Sequence, residues 1–250
     1  ANGFDTLTLD YRGIGASAPP SLRGFKMSFF DWGRLDLAAA VELMSPGRLP
    51  LFVVGHSYGG HALGMLPNHH HVRACYSFGT GAGWHGWMAP AERLRVLAMW
   101  HLLGPLLSVG QGRLAWSRLR MGADLPLDFY RAWKRACRYP NYFLGDPATR
   151  HLAHDFSRVR TPLVAANAID DRWSPPRSRD AFLPFYSGAQ RQGIDLDPAA
   201  LGLRRLGHMG YFRPSAQPLW RTALDWLAGV GASRSPARSG APAGSAAPRE

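Results

Sequence analysis

Apolar and polar positions along the chain follow two periods. Phe4 to Asp10 alternates and is rich in strand formers, which predicts a strand, and the run Asp10-Tyr11-Arg12-Gly13-Ile14-Gly15-Ala16-Ser17 ends it in a glycine turn. Between Phe29 and Met44 the period lengthens. Phe29, Trp32, Leu35, Leu37, Ala40, Val41 and Met44 fall near helical spacing, and Asp31 and Asp36 sit in the early turns, where a carboxylate complements the helix dipole. Ser45-Pro46-Gly47 ends this helix. Leu51 to Val54 is an apolar run too short for a helix of its own, and a small-residue helix follows from His61 to Leu66 until Pro67 stops it. Val72 to Phe78 reads as another strand, closed by Gly79-Thr80-Gly81-Ala82-Gly83. Strand, helix, strand, helix and strand with short joints predict an α/β fold: a mostly parallel sheet with helices on both faces.

The alternation stops from Trp84 to about Arg160. Helix-like segments there are broken by Gly104-Pro105, Gly110, Gly122, Pro126 and Pro140, and they carry Trp84, Trp87, Trp100, Trp116 and Trp133. A tryptophan-rich block between sheet strands is expected to be a helical cap over an active site, with Trp84 and Trp87 as substrate-binding candidates. The α/β pattern resumes with Pro162 to Ile169 and the turn Asp170-Asp171-Arg172-Trp173-Ser174-Pro175. It continues with a helix over Ser178 to Tyr186, a short strand over Leu201 to Leu206, the turn Gly207-His208-Met209-Gly210 and a helix over Gln217 to Leu227. Beyond Gly231 the residues are Ala, Ser, Pro, Gly and Arg up to the final Glu250, with no large apolar side chain to bury. The organisation expected is a first core part over 1–83, a cap over 84–160, a second core part over 161–230 and a disordered tail over 231–250.

Gly55-His56-Ser57-Tyr58-Gly59 is a G-x-S-x-G run between a strand and a helix, the setting in which a serine is pushed out on a strained turn. Bulkier residues in place of Gly55 and Gly59 are expected to collide with the adjoining strand and helix. A serine hydroxyl is a weak nucleophile near neutral pH and needs an imidazole to take its proton and an acid to hold that imidazole. Asp171 lies just past a predicted parallel strand, and His208 lies in the loop after the next. Ser57, Asp171 and His208 thus stand in the order Ser, Asp, His, each at the carboxyl end of a strand. Gly13 to Ala18 satisfies G-x-G-x-x-A, but Pro19-Pro20 do not support the helix a dinucleotide would need, so no cofactor is assigned. His69-His70-His71 are adjacent residues that do not share a face, which favours a solvated loop over a metal site. His56 is expected to pack beneath the serine.

These motifs, with the Asp-Asp turn closed by Pro175 and Gly207-His208, resemble the α/β-hydrolase family over Gly3 to about Leu227. The stretch from Gly55 to Asn68 and the tryptophan-rich block are most similar to bacterial predicted hydrolases grouped with a serine-aminopeptidase-like branch. The resemblance implies Ser57 as nucleophile, His208 as base and then acid, Asp171 as orienting carboxylate, and the Tyr58 backbone N–H as one oxyanion donor. In the family the acid usually stands four residues before the proline of this turn, which selects Asp171 over Asp170. Asp170 is then expected to cap the turn or meet Arg172. The second oxyanion donor of the family comes from a loop after an earlier strand, upstream of Ala1. An N-terminally truncated chain is therefore expected, lacking early strands that include the neighbour between the Phe4 to Asp10 strand and the elbow strand.

Composition changes this picture little. The 250 residues are 46% hydrophobic, enough for one large domain. The formal charge of +12 comes almost wholly from scattered arginines, with Lys26 and Lys134 the only lysines, and no nucleic-acid motif accompanies it. Cys75 and Cys137 do not form a secreted disulfide framework and are expected to be buried free thiols. No uncharged apolar run reaches the ~18 residues a membrane span needs, and a cytoplasmic protein is expected. The function expected is hydrolysis of an ester, thioester or amide of a small acyl substrate through an acyl-enzyme. Acyl transfer on the same residues and a catalytically weak binding protein are its rivals.

Overall fold

The structure is a computed structural model that describes residues 3–47, 49–119 and 122–232. The tail expected beyond Gly231 lies, from residue 233 onward, outside the described residues. In chain order the elements are α1 (Ala38–Met44), β1 (Leu51–His56), α2 (Tyr58–Met65), β2 (Val72–Phe78), α3 (Pro90–Ala98), α4 (Gly104–Ser108), β3 (Arg113–Leu114), β4 (Leu125–Pro126), α5 (Leu127–Ala136), α6 (Ala153–Arg158), β5 (Leu163–Ala168), α7 (Pro176–Phe182), β6 (Arg191–Leu196) and α8 (Gln217–Ala232). A widened, π-helical turn over Trp32–Leu37 leads into α1, and a second over Met99–Leu103 joins α3 to α4.

Four strands form a parallel sheet in the order β1-β2-β5-β6, while β3 and β4 make a separate antiparallel pair. Alternation within the strands divides the core. Cys75 and Leu163 join the apolar cluster of Leu63 and Phe156 on one face, and Tyr76, Phe78, Val164 and Ala166 join that of Leu219 and Leu227 on the other. Both faces of the central strands β2 and β5 are therefore buried. Register aligns the carboxyl ends of the strands, with Phe78 beside both His56 and Ala166. The chain leaving β1, β2 and β5 consequently emerges along one edge, where open α/β sheets gather their functional groups.

Two expected strands are corrected. Phe4 to Asp10 forms no strand. A strand needs a ladder partner for its backbone groups, and the sheet has none for this segment among the described residues; Phe4 instead packs edge-on against Phe52, centroids 6.0 Å apart. Leu201 to Leu206 is not a strand either. Leu201 closes a 3-10 turn, the Leu206 backbone N–H is taken by the Asp170 carboxylate, and the fourth strand is β6, a largely exposed edge with weak apolar patterning. The elbow helix begins at Tyr58, three residues before its expected start, and α8 runs past Leu227 to Ala232. The crowded glycines also differ from expectation. A Cβ on Gly55 would lie 2.5 Å from the backbone carbon of Gly59, and one on Gly60 would lie 2.7 Å from Ser77 Cβ, whereas one on Gly59 would meet nothing.

Candidate active site

Ser57 occupies the turn from β1 to α2 with φ +50°, one of two non-glycine residues with positive φ among those described. Such a conformation costs roughly 1–3 kcal/mol and persists only when its surroundings enforce it. Here the Ser57 N–H donates to the Phe78 carbonyl at 2.9 Å, and the Ser57 carbonyl accepts from the Thr80 hydroxyl at 3.0 Å and the Gly60 N–H at 3.1 Å. Tyr58 is the first residue of α2, so its backbone N–H has no acceptor within the helix and lies at the positive end of the helix dipole. Its side chain is anchored separately, with the hydroxyl donating to the Phe29 carbonyl at 2.6 Å.

Asp171 follows β5 by three residues and is 2% exposed. Its Oδ1 accepts from the Trp173 and Ser174 backbone N–H groups at 2.9 and 2.8 Å, and its Oδ2 accepts from the Tyr211 hydroxyl at 3.1 Å. The same Oδ2 lies 2.9 Å from His208 Nδ1, and His208 Nε2 lies 3.2 Å from Ser57 Oγ. Burial pushes the Asp171 carboxyl upward, but hydrogen bonding and charge from His208, together with the two backbone N–H groups, outweigh it and leave the group below its ordinary value. An ionised carboxylate only accepts hydrogen bonds, so His208 Nδ1 carries the proton and Nε2 is left to accept from the serine.

Two further residues set the position of His208. Arg172 approaches Glu92, while Asp170 Oδ2 and Oδ1 accept from the Leu206 and Gly207 N–H groups at 3.0 and 2.8 Å, which fixes the chain entering the histidine loop. His56 donates from Nε2 to the His208 carbonyl at 2.7 Å, with ring centroids 4.9 Å apart. Burial and the neighbouring His208 lower the His56 pKa to about 4, so its ring is neutral near pH 7. Sequence reasoning missed Tyr211 and these roles of Asp170 and His56. The adjacency of Asp170 to Asp171 and of His56 to Ser57 was the available signal, while Tyr211 had none.

Ser57 and His208 open onto a cavity of about 270 Å³. Segment 84–160 supplies much of its wall, including Met88, Met99, Trp100, Trp133 and Tyr142. Trp84 and Trp87, expected at this wall, do not line it. They pack edge to face on each other at 5.4 Å, and the Trp87 indole N–H donates to the Pro140 carbonyl at 2.9 Å. The tryptophans that do line it are Trp32, Trp100, Trp133 and Trp173. Trp173 stacks on the His208 ring with centroids 5.7 Å apart, and its indole N–H donates to Glu92 Oε1 of α3 at 3.1 Å. His69–His71 form a 3-10 turn ahead of β2, and Cys75 and Cys137 are buried free thiols. Among the described residues no helix is long and apolar enough to cross a membrane.

A parallel sheet with helices on both faces, a strained serine between strand and helix, and an acid and a histidine on later loops define a class of α/β proteins. Residues 1–219 match the model of the alpha/beta hydrolase family, and the chain belongs to that family. No curated protein sequence matches the chain. Among solved structures, it is similar to BpoC of Mycobacterium tuberculosis H37Rv, named as a non-heme bromoperoxidase. That match has TM-score 0.54 and 16% identity over 88% of this chain and 80% of the other. Rv0554 of Mycobacterium tuberculosis matches with TM-score 0.53 and 16% identity over 88% and 78% of the two chains. A thermophilic esterase from Thermogutta terrifontis matches with TM-score 0.48 and 16% identity over 89% and 79%. At these identities the first two likenesses speak for the fold alone.

Proposed function

We propose that the protein is a serine hydrolase that cleaves an ester, thioester or amide of a small acyl substrate through an acyl-enzyme. The observation that carries this reading is the continuous chain from Ser57 Oγ to His208 Nε2 at 3.2 Å and from His208 Nδ1 to Asp171 Oδ2 at 2.9 Å. His208 Nε2 takes the Ser57 proton as Oγ attacks the substrate carbonyl, and the C=O bond opens to an oxyanion. The Tyr58 N–H at the start of α2 is the donor for that oxyanion. His208 then passes the proton to the leaving group as its bond to carbon breaks. A water, deprotonated by the same nitrogen, attacks the acyl carbon; the bond to Ser57 Oγ then breaks, His208 returns the proton to that oxygen, and the acid is released. Asp171 stays ionised throughout and stabilises the imidazolium. Segment 84–160 acts as the cap that shields the acyl-enzyme.

The test is labelling by a serine-directed fluorophosphonate together with turnover of simple esters, in the wild-type chain and in Ser57→Ala. Labelling and turnover that both vanish in Ser57→Ala support the reading. Labelling at another serine, or turnover that survives the substitution, overturns it.

A further inference from the structure

The cavity beside Ser57 has a wall of unusual uniformity. Trp32 stacks on Phe129 with centroids 3.9 Å apart, and Trp100 meets Trp133 edge to face at 4.7 Å. Met88 and Met99 add thioethers, whose sulfur favours aromatic edges. Among the described residues that line the cavity there is no Asp, Glu, Lys or Arg. The wall's titratable groups other than His208 are held uncharged by burial: His56 and His61 are lowered to about 4 and about 3, and the Tyr58 and Tyr142 hydroxyls and the Cys137 thiol are raised. Asp171, the carboxylate bonded to His208, has both oxygens engaged and is 2% exposed.

A group entering this cavity with a charge would lose its water without gaining a partner, which is costly in any low-dielectric site. Size narrows the occupant further. A dry apolar cavity of about 150 Å³ holds one benzene, so about 270 Å³ accommodates one ring with its linker, or two small fused rings. The direction of the chemistry assigns the cavity to one side of the scissile bond. The acyl group is the part that remains attached to Ser57 and must stay enclosed, whereas the leaving group departs past His208, whose loop exposes Met209 and Phe212.

We infer that this cavity is an acyl subsite for an uncharged aryl or arylalkanoyl group of one to two rings, and that it discriminates against acyl groups bearing an α-ammonium or a carboxylate. This rests on the acyl-enzyme reading above. It places the preferred substrates among aromatic carboxylic esters and away from amino-acid esters and amides, the class that the serine-aminopeptidase-like resemblance would suggest.

The test uses 4-nitrophenyl esters of 3-phenylpropanoic acid, of heptanoic acid and of L-phenylalanine, the last differing from the first by its α-ammonium, compared at pH 6. The phenylpropanoyl ester should exceed the heptanoyl ester in kcat/KM by roughly 2- to 12-fold, the range one favourable ring pairing supplies. It should exceed the phenylalanyl ester by roughly 10²-fold or more. A second measurement removes the chemistry: quenching of tryptophan fluorescence in Ser57→Ala by 3-phenylpropanamide and by L-phenylalaninamide, with binding expected only for the first. A phenylalanyl ester cleaved as well as the phenylpropanoyl ester, equal binding of the two amides, or a heptanoyl ester preferred would each overturn the assignment. If the uncharged amide binds selectively but Ser57 is neither labelled nor turned over, the acyl-enzyme reading falls while the selectivity of the cavity stands.

Discussion

Asp171, bonded to His208, and Trp133, on the cavity wall, are held by different forces. Around Asp171 two backbone N–H groups, a tyrosine hydroxyl and an imidazole converge within 3.1 Å, and each donor is itself on a loop pinned to the sheet. Trp133 is held by ring contacts to Trp100 at 4.7 Å, Trp173 at 6.4 Å and Phe129 at 6.5 Å. Hydrogen bonds to a buried charge are directional and strongly unfavourable to leave unmade. Aromatic packing is broad in geometry and tolerant of exchange for residues of similar volume. On the proposed function, residues 51–83 and 161–230 would fix the chemistry, and segment 84–160 would shape what that chemistry is offered.

The sharpest break in that contrast is at the paired aspartates. Asp171→Asn keeps the shape but leaves a neutral group opposite His208 and favours the wrong tautomer, with an expected loss of about 10⁴ in kcat. Asp170→Asn should lose only about 10- to 100-fold, because one of its two backbone N–H acceptors survives and the histidine loop loosens without losing its carboxylate. Steady-state turnover of one ester by both variants decides the matter. Equal losses would mean that Asp170 takes part in more than loop placement.

Acid should act on the first of these regions, through two histidines of residues 51–83. His56 and His61 have folded pKa values of about 4 and about 3, below the ~6.5 of an unfolded histidine. The unfolded chain then binds more protons than the folded one between those values. The stability due to keeping these rings neutral is fully present above about pH 6.5 and declines as pH falls toward 4 and then 3. The slope approaches ~1.4 kcal/mol per pH unit for each ring within its window. Thermal melts at pH 7 and pH 5 should show a drop that shrinks in His61→Leu. A drop of the same size in that variant would assign the acid sensitivity elsewhere.

The same contrast explains how much could be read from the sequence. The elbow run, the aspartate pair and the Gly207-His208 turn were legible because strained turns and buried charges admit few residue types, and β2 was legible at its observed bounds from its apolar run. Phe4 to Asp10 carried a strand's alternation without a ladder to join. β6, Arg-Gln-Gly-Ile-Asp-Leu, joined the ladder as an exposed edge without the pattern. Trp84 and Trp87 are candidates for the wall by residue type alone. Nothing in spacing distinguishes an indole that turns to Pro140 from one, like Trp133, that reaches the cavity, because segment 84–160 folds through long-range ring contacts that local periodicity does not encode.

Substitution of a tryptophan that lines the cavity should therefore change selectivity and leave reactivity alone. Trp133→Ala widens the cavity and should shift preference toward longer acyl chains by several-fold in kcat/KM, about what one or two added methylenes contribute in an apolar pocket. Fluorophosphonate labelling of Ser57 should stay close to wild type. Trp87→Phe should leave the acyl-chain profile unchanged, since its indole lies off the cavity. A profile that moves with Trp87 and not with Trp133 would reverse the assignment of the wall.

The smallest effect is expected where the two regions are joined. Glu92 of α3 accepts the indole N–H of Trp173 at 3.1 Å, and that indole stacks on His208. The Glu92 side chain is 11% exposed, and Arg172 and Arg95 approach it at 4.0 and 3.4 Å, so the carboxylate is partly shielded and its hydrogen bond is charge-assisted. Glu92→Gln keeps an acceptor for the indole and removes the charge; Glu92→Ala removes both. If the link orients the Trp173 ring over the imidazole, Glu92→Ala should raise KM and lower kcat by a few-fold each, and Glu92→Gln should recover most of the kcat. A link that merely ties α3 to the turn after β5 would instead lower the melting temperature in Glu92→Ala, less so in Glu92→Gln, and leave kcat in place in both. Measuring kcat, KM and melting temperature together for the pair separates an indole held for catalysis from a surface tie.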